Sequence, residues 1–196
     1  MTEKSTKVSK KAQRKQEVAQ QKRRRTLLIA IPVGIIVLGL VGLLIYRGLQ
    51  PAVEGLLTFG TQGRTHDLEA EFASTGLPAV GGSHNPNWQN CGIYDTPVED
   101  SLAVHALEHG AVWLTYNPEL PADQVESLKE LVRGENKVLM SPYEGLVGEV
   151  VLSGWSKQLV INSLPDERIA EFIDRYQGLA PEPGARCDGG VGTPIE

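Results

Sequence analysis

The sequence predicts an α+β fold, a small mixed sheet with about three helices, preceded by one transmembrane helix. Two observations carry this reading. Residues 26–46 form an unbroken run without a single charge, and beyond position 97 helix-spaced and strand-like apolar segments alternate between Gly and Pro punctuation.

The run at 26–46, TLLIAIPVGIIVLGLVGLLIY, is long enough for a bilayer, since some 20 residues at about 1.5 Å each span a hydrocarbon core of roughly 30 Å. A secretory signal peptide is the rival reading. Its apolar region is usually about 7–15 residues and ends in a small-x-small cleavage site, and this run fits neither limit. Tyr46 and Arg47 instead resemble an interfacial aromatic followed by a charge. Pro32 and the glycines at 34, 39 and 42 are tolerable in lipid.

Charge is distributed unevenly about this segment. Residues 1–25 hold ten Lys or Arg against only Glu3 and Glu17, which leaves nine basic and 22 acidic residues, about −13, for the rest. Basic residues directly before an apolar helix place the N-terminus in the cytoplasm and the remainder outside it. The expected organisation is a basic cytoplasmic tail at 1–25, a membrane helix at 26–46, a linker at 47–60 and an extracytoplasmic globular domain at 61–192. The tail reads as a solvated arm able to touch anionic headgroups of the lipid bilayer. Nucleic acid is not an expected partner, because no aromatic residue interleaves with the charges.

Within the outer region, VEGLLTF at 53–59 predicts a short strand. Residues 61–97 are rich in Gly, Pro, Asn and Ser; a loop of that length in a compact domain is usually functional. Helical spacing returns at 99–109, with acidic residues in the first turn and Gly110 as the stop. Residues 111–116, AVWLTY, read as a buried strand. Pro121 opens a helix through 133 with Val125, Leu128, Leu131 and Val132 on one face. Strands are expected at 137–140, 149–153 and 157–161, and a last helix at 165–176 with Ile169, Phe172, Ile173 and Tyr176 inward. This order echoes a thioredoxin-like βαβαββα core with Pro142 before the hairpin, but no C-x-x-C is present.

All four histidines lie between positions 66 and 109. His105 and His109 are four apart, which puts both imidazoles on one helical face. His66 and His84, from the loop, complete a candidate set of nitrogen ligands for one transition-metal ion. The plain alternative is that the pair is incidental and that His109 caps the helix end, where the dipole favours a cation. Copper stands slightly ahead of zinc, because imidazole suits both and Cu(II) binds more tightly. The same residues spell H-x-x-E-H, the inverted zinc-peptidase pattern, in which Glu108 is the general base on a metal-bound water. No distant third ligand for such an enzyme is evident, and Glu108 reads better as an acceptor for an imidazole N–H or as a surface charge.

Cys91 and Cys187 are the only cysteines. Outside the cytoplasm an even number reads as a disulfide; the alternative makes Cys91 a thiolate ligand beside His84. Met140 is a strand-end core residue or, less simply, a soft axial ligand. Trp88, Trp113 and Trp155 are expected as core or loop anchors.

Several long strings have a family likeness: TH at 65–66, GGSH at 81–84, WQNCGIYD at 88–95, VHALEHGAVW at 104–113, SPYEGL at 141–146, WSKQL at 155–159 and PEPGARC at 181–187. Together they resemble the bacterial domain-of-unknown-function family 3105, single-pass membrane proteins common in actinobacteria. The likeness covers residues 61–192 and departs only at Ala79-Val80, where relatives carry prolines. It implies the domain boundary and membrane-anchored placement and supplies no activity. Three functions therefore remain in view: a membrane-tethered metal-binding domain, a disulfide-stapled interaction module with an envelope protein partner, and a zinc-dependent hydrolase.

Overall fold

The computed structural model describes residues 3–49 and 52–196, which fall into two units, one ending before Ala52 and the other Ala52–Glu196. The first is a single helix, α1 (Glu3–Leu49), with Pro32 inside it. Part of it, within Arg14–Leu43, reaches a mean hydropathy of 2.7 and is long and apolar enough to cross a membrane. The basic tail from Glu3 onward continues the same helix, as its Lys-, Arg- and Gln-rich composition allows. Of the expected linker at 47–60, positions 50 and 51 lie outside the described residues. Val53 is already buried in the core of the second unit.

The second unit is α+β. Its six strands are β1 (Leu57–Thr58), β2 (Gly92–Ile93), β3 (Val112–Tyr116), β4 (Val138–Pro142), β5 (Val150–Gly154) and β6 (Lys157–Ile161). Its helices are α2 (Asp100–Glu108), α3 (Ala122–Val132) and α4 (Arg168–Tyr176). The sheet runs β1-β6-β5-β3-β4-β2. β3, β4 and β2 are parallel neighbours, whereas β5 runs antiparallel to both β3 and β6. The parallel pair β3–β4 needs a crossover, supplied by α3. Between β4 and β5 there is only a turn, so the second crossover helix of a βαβαββα core is absent.

Strand periodicity sorts the side chains into two layers. Val112 and Leu114 of β3, Val138 and Met140 of β4, Val150 and Leu152 of β5, and Leu159 and Ile161 of β6 pack with Leu128 and Val132 of α3 and Ile169, Phe172 and Ile173 of α4. The alternate positions Trp113 and Leu139 pack with Ala103 and Leu107 of α2. Strands covered on both faces read as continuous apolar runs, and AVWLTY is one. Leu131, expected inward on α3, is 41% exposed, because the buried stripe of that helix is narrowed to Leu128 and Val132.

The α2 side of the sheet also carries polar residues that hold the long loop at 61–97. Gln158 Nε2 donates to Pro78 O at 2.8 Å and to Ser153 Oγ at 3.1 Å. Ser156 N–H donates to Val80 O, and Ala79 N–H to Asp100 Oδ2. A segment that looks shapeless in sequence is thus ordered by buried side-chain and backbone hydrogen bonds. β2, within this loop, has no sequence signal because two residues carry no periodicity.

Candidate metal centre

α2 is the base of the site. Gly110, with φ +92°, follows it at a point where an added Cβ would lie 3.0 Å from Gly178 Cα. That left-handed conformation and close approach favour glycine. The helix therefore ends at Glu108, with His109 as its C-cap. His105 and Glu108, three apart, project from the same face.

The two loop histidines reach this face together. His66 and His84 form an isolated parallel β-bridge, in which His84 N–H donates to Thr65 O at 3.0 Å and Asp67 N–H to His84 O at 2.7 Å. Asn85 N–H and Gln89 N–H donate to Ser101 O and Leu102 O, fastening the loop to the first turn of α2.

The result is a compact group: one ligand atom from each of His66, His84, His105 and Glu108, all within 4.8 Å of one another. Glu108 Oε2 lies 3.0 Å from His84 Nε2 and 3.5 Å from His66 Nε2. Metal bonds of about 2.0–2.1 Å set tetrahedral ligand atoms about 3.3 Å apart, so these two separations already match a coordination edge. His84, His105 and Glu108 are 0%, 4% and 1% exposed, whereas the His66 side chain is 46% exposed.

Second contacts fix the orientation of the buried donors. His84 Nδ1–H donates to Gly82 O at 2.7 Å, and His105 Nδ1–H to Asn85 O at 2.7 Å. A carbonyl can only accept, so Nδ1 carries the proton in both rings and Nε2 is the atom left for the centre. That arrangement is the one metal-ligating histidines adopt. It also makes His84 Nε2 and Glu108 Oε2 two acceptors facing each other at 3.0 Å, a pair that requires a proton or a cation between them. The second oxygen of Glu108 accepts from Arg64 Nε, and Arg64 also pairs with Glu182 at 2.8 Å.

Burial pushes the Glu108 carboxyl up, but the hydrogen bond from Arg64 and the charges of His84 and Arg64 outweigh it and hold the group below its ordinary value. Burial lowers the basicity of His105; the Asn85 carbonyl opposes this, and His109, His84 and His66 add to it. Both shifts have the same consequence for stability. A depressed histidine is neutral in the fold while the unfolded chain takes up a proton below its ordinary value of 6.5. Metal-free protein should therefore lose stability as the pH falls below about 6.5, with Glu108 contributing further loss below its ordinary value of 4.5. Denaturant titrations at successive pH values measure this, and His105→Gln should flatten the first part of the profile.

His109 is placed differently from the sequence expectation. Its ring centroid is 4.6 Å from that of His105, and its Nδ1–H donates to Arg186 O at 2.8 Å, as the Nδ1–H groups of His84 and His105 do to their carbonyls. Its Nε2, however, lies 3.7 Å from Glu182 Oε2, outside the compact group. The carboxylate of Glu108 takes the fourth place in the compact group. Arg64, two residues before His66, and Glu182, in the C-terminal segment, follow no ligand pattern in the sequence, and only folding makes them neighbours of Glu108.

Cys91 and Cys187 form a disulfide, with Cα atoms 5.4 Å apart, so Cys91 offers no thiolate. The bridge packs on Ala106 and Ala111 with Trp88 beside it. It carries the C-terminal segment over the end of α2, where Glu182 N–H donates to Glu108 O. Met140 faces the α3–α4 side of the sheet, away from the α2 layer. The donor set is nitrogen and oxygen without sulfur.

Fold and site together define a disulfide-closed α+β domain built around a three-histidine, one-carboxylate cluster. The chain belongs to the family described as proteins of unknown function, DUF3105, whose model matches residues 67–189. The match takes in His84, His105, Glu108 and both cysteines and begins one residue after His66. No curated protein and no solved structure matches the chain.

Proposed function

We propose that this protein is a single-pass membrane protein whose extracytoplasmic domain binds one divalent transition-metal ion through His66, His84, His105 and Glu108. The observation that carries the reading is the convergence of these donors, with Nδ1 of His84 and His105 held by backbone carbonyls. Three imidazoles and a carboxylate suit Cu(II) and Zn(II), and the Irving–Williams order puts copper first. Cuprous ion prefers sulfur ligands, and the described residues offer none here. The basic residues directly before the apolar run support a cytoplasmic N-terminus, and the disulfide is in keeping with an oxidising compartment on the other side.

A zinc hydrolase has less support. Glu108 is committed to Arg64 through one oxygen and faces His84 and His66 through the other, which leaves it unsuited to take a proton from a metal-bound water.

The test is elemental analysis of the full-length protein, detergent-solubilised and purified without a polyhistidine tag. About one equivalent of copper or zinc per chain is expected. A folded, metal-free protein that also refuses added Cu(II) and Zn(II) would overturn the proposal and favour an interaction module whose histidines only hydrogen-bond.

A further inference from the structure

The four donors are not equivalent. His84 and His105 are buried and tied through Nδ1 to Gly82 O and Asn85 O, and Glu108 is tied through its second oxygen to Arg64. His66 has none of this support. Its side chain is nearly half exposed, and its Nδ1 has no hydrogen-bond partner among the described residues. What holds the ring is a stack on His105, with centroids 4.7 Å apart and planes at 19°, an edge contact with the His84 ring at 5.0 Å between centroids, and the 3.5 Å approach to Glu108. Its backbone is nevertheless pinned by the bridge to His84, so the imidazole can leave the group by rotating about its own side-chain bonds while the loop stays in place.

Charge decides what would replace it. A divalent ion and Arg64 bring three positive charges against two carboxylates, Glu108 and Glu182. One positive charge remains at the solvent edge of the group, where the Arg64 side chain is itself 45% exposed.

We infer that the ion keeps one exchangeable coordination position, at the His66 edge, and that this position takes a small monodentate anion from solvent. The inference rests on the metal-binding reading above and adds to it that the site is open, in the sense that separates reactive metal sites from purely structural ones. Three donors hold the ion, and His66 competes with the incoming anion for the fourth place.

Azide is the probe. The full chain, loaded with one equivalent of Cu(II), is titrated with sodium azide while the azide-to-copper charge-transfer absorption is followed. The wild type should develop this band saturably. His66→Ala should hold copper less tightly but still load to one equivalent. Once loaded it should bind azide at least about tenfold more tightly, because the competing tethered imidazole is gone. A copper-loaded wild type that develops no band, or a His66→Ala protein that binds copper but azide no better than wild type, overturns the inference and leaves the metal-binding reading intact. Loss of copper on His66→Ala overturns it as well, by making His66 an obligatory ligand. Failure of the wild type to take up copper or zinc in the first place sinks the metal-binding reading itself.

Discussion

Replacing His84 by glutamine should lower metal affinity by at least about 100-fold, whereas His109→Ala should leave one equivalent bound. His84 is fully buried, its Nδ1 is fixed by Gly82 O, and its Nε2 stands 3.0 Å from Glu108. Losing an outer-sphere partner of a metal ligand typically costs about 10–100-fold in affinity, and losing the ligand itself costs more. His109 instead holds Arg186 O and lies beside Glu182, so its removal weakens the fastening of the C-terminal segment; a loss of about 1 kcal/mol in stability is expected. Competition titration against a chromophoric chelator measures the affinities, and denaturant unfolding measures the stability. If His109→Ala lost the ion as His84→Gln does, the four-histidine set expected from sequence would replace the three-histidine, one-carboxylate set.

The paired change Cys91→Ser and Cys187→Ser should destabilise the domain by about 4 kcal/mol. The bridge closes a loop of sequence separation 96, and a cross-link over about 100 residues restricts the unfolded chain by roughly that amount. For a domain of this size the midpoint of thermal unfolding should fall by about 10–15 °C. Metal affinity should fall too, by about tenfold, because the released segment carries Glu182, which helps to hold Arg64 against Glu108. Calorimetry and the same chelator competition test both effects. An unchanged affinity in the folded variant would mean that Arg64 orients Glu108 without help from the C-terminal segment.

Much of the fold was legible because its elements have clear periods and stops. The run at 111–116 appears as β3, the 121–133 segment as α3, and the hairpin strands within a residue of their expected bounds. The last helix begins at Arg168 rather than directly at Pro165, since the intervening residues turn before the helix starts. β2 escaped notice because its pairing with β4 is supplied by a remote part of the chain.

The candidate site was legible in part. Clustering of the histidines in one stretch pointed to His66, His84 and His105, and H-x-x-E-H placed Glu108 on their helix face. What spacing could not distinguish was whether Glu108 or His109 joins them. Residues three and four apart from His105 are both its neighbours on a helix, so the choice falls to groups outside the helix.

The sequence by itself determined the uncharged helix, the basic segment before it, the alternation that builds a two-layered sheet, and the residue types available for a site. These are local properties, set by side-chain chemistry and the periods of helix and strand. The two cysteines also announced their pairing, which the Cys91–Cys187 bridge bears out. Only the tertiary structure decided that His66 and His84 meet through a β-bridge, and that Arg64 turns Glu108 toward the histidines while Arg186 and Glu182 engage His109. Those choices depend on contacts between segments up to 118 residues apart, whose loop-closure cost is met jointly by the whole packed domain and leaves no trace in any local window of sequence.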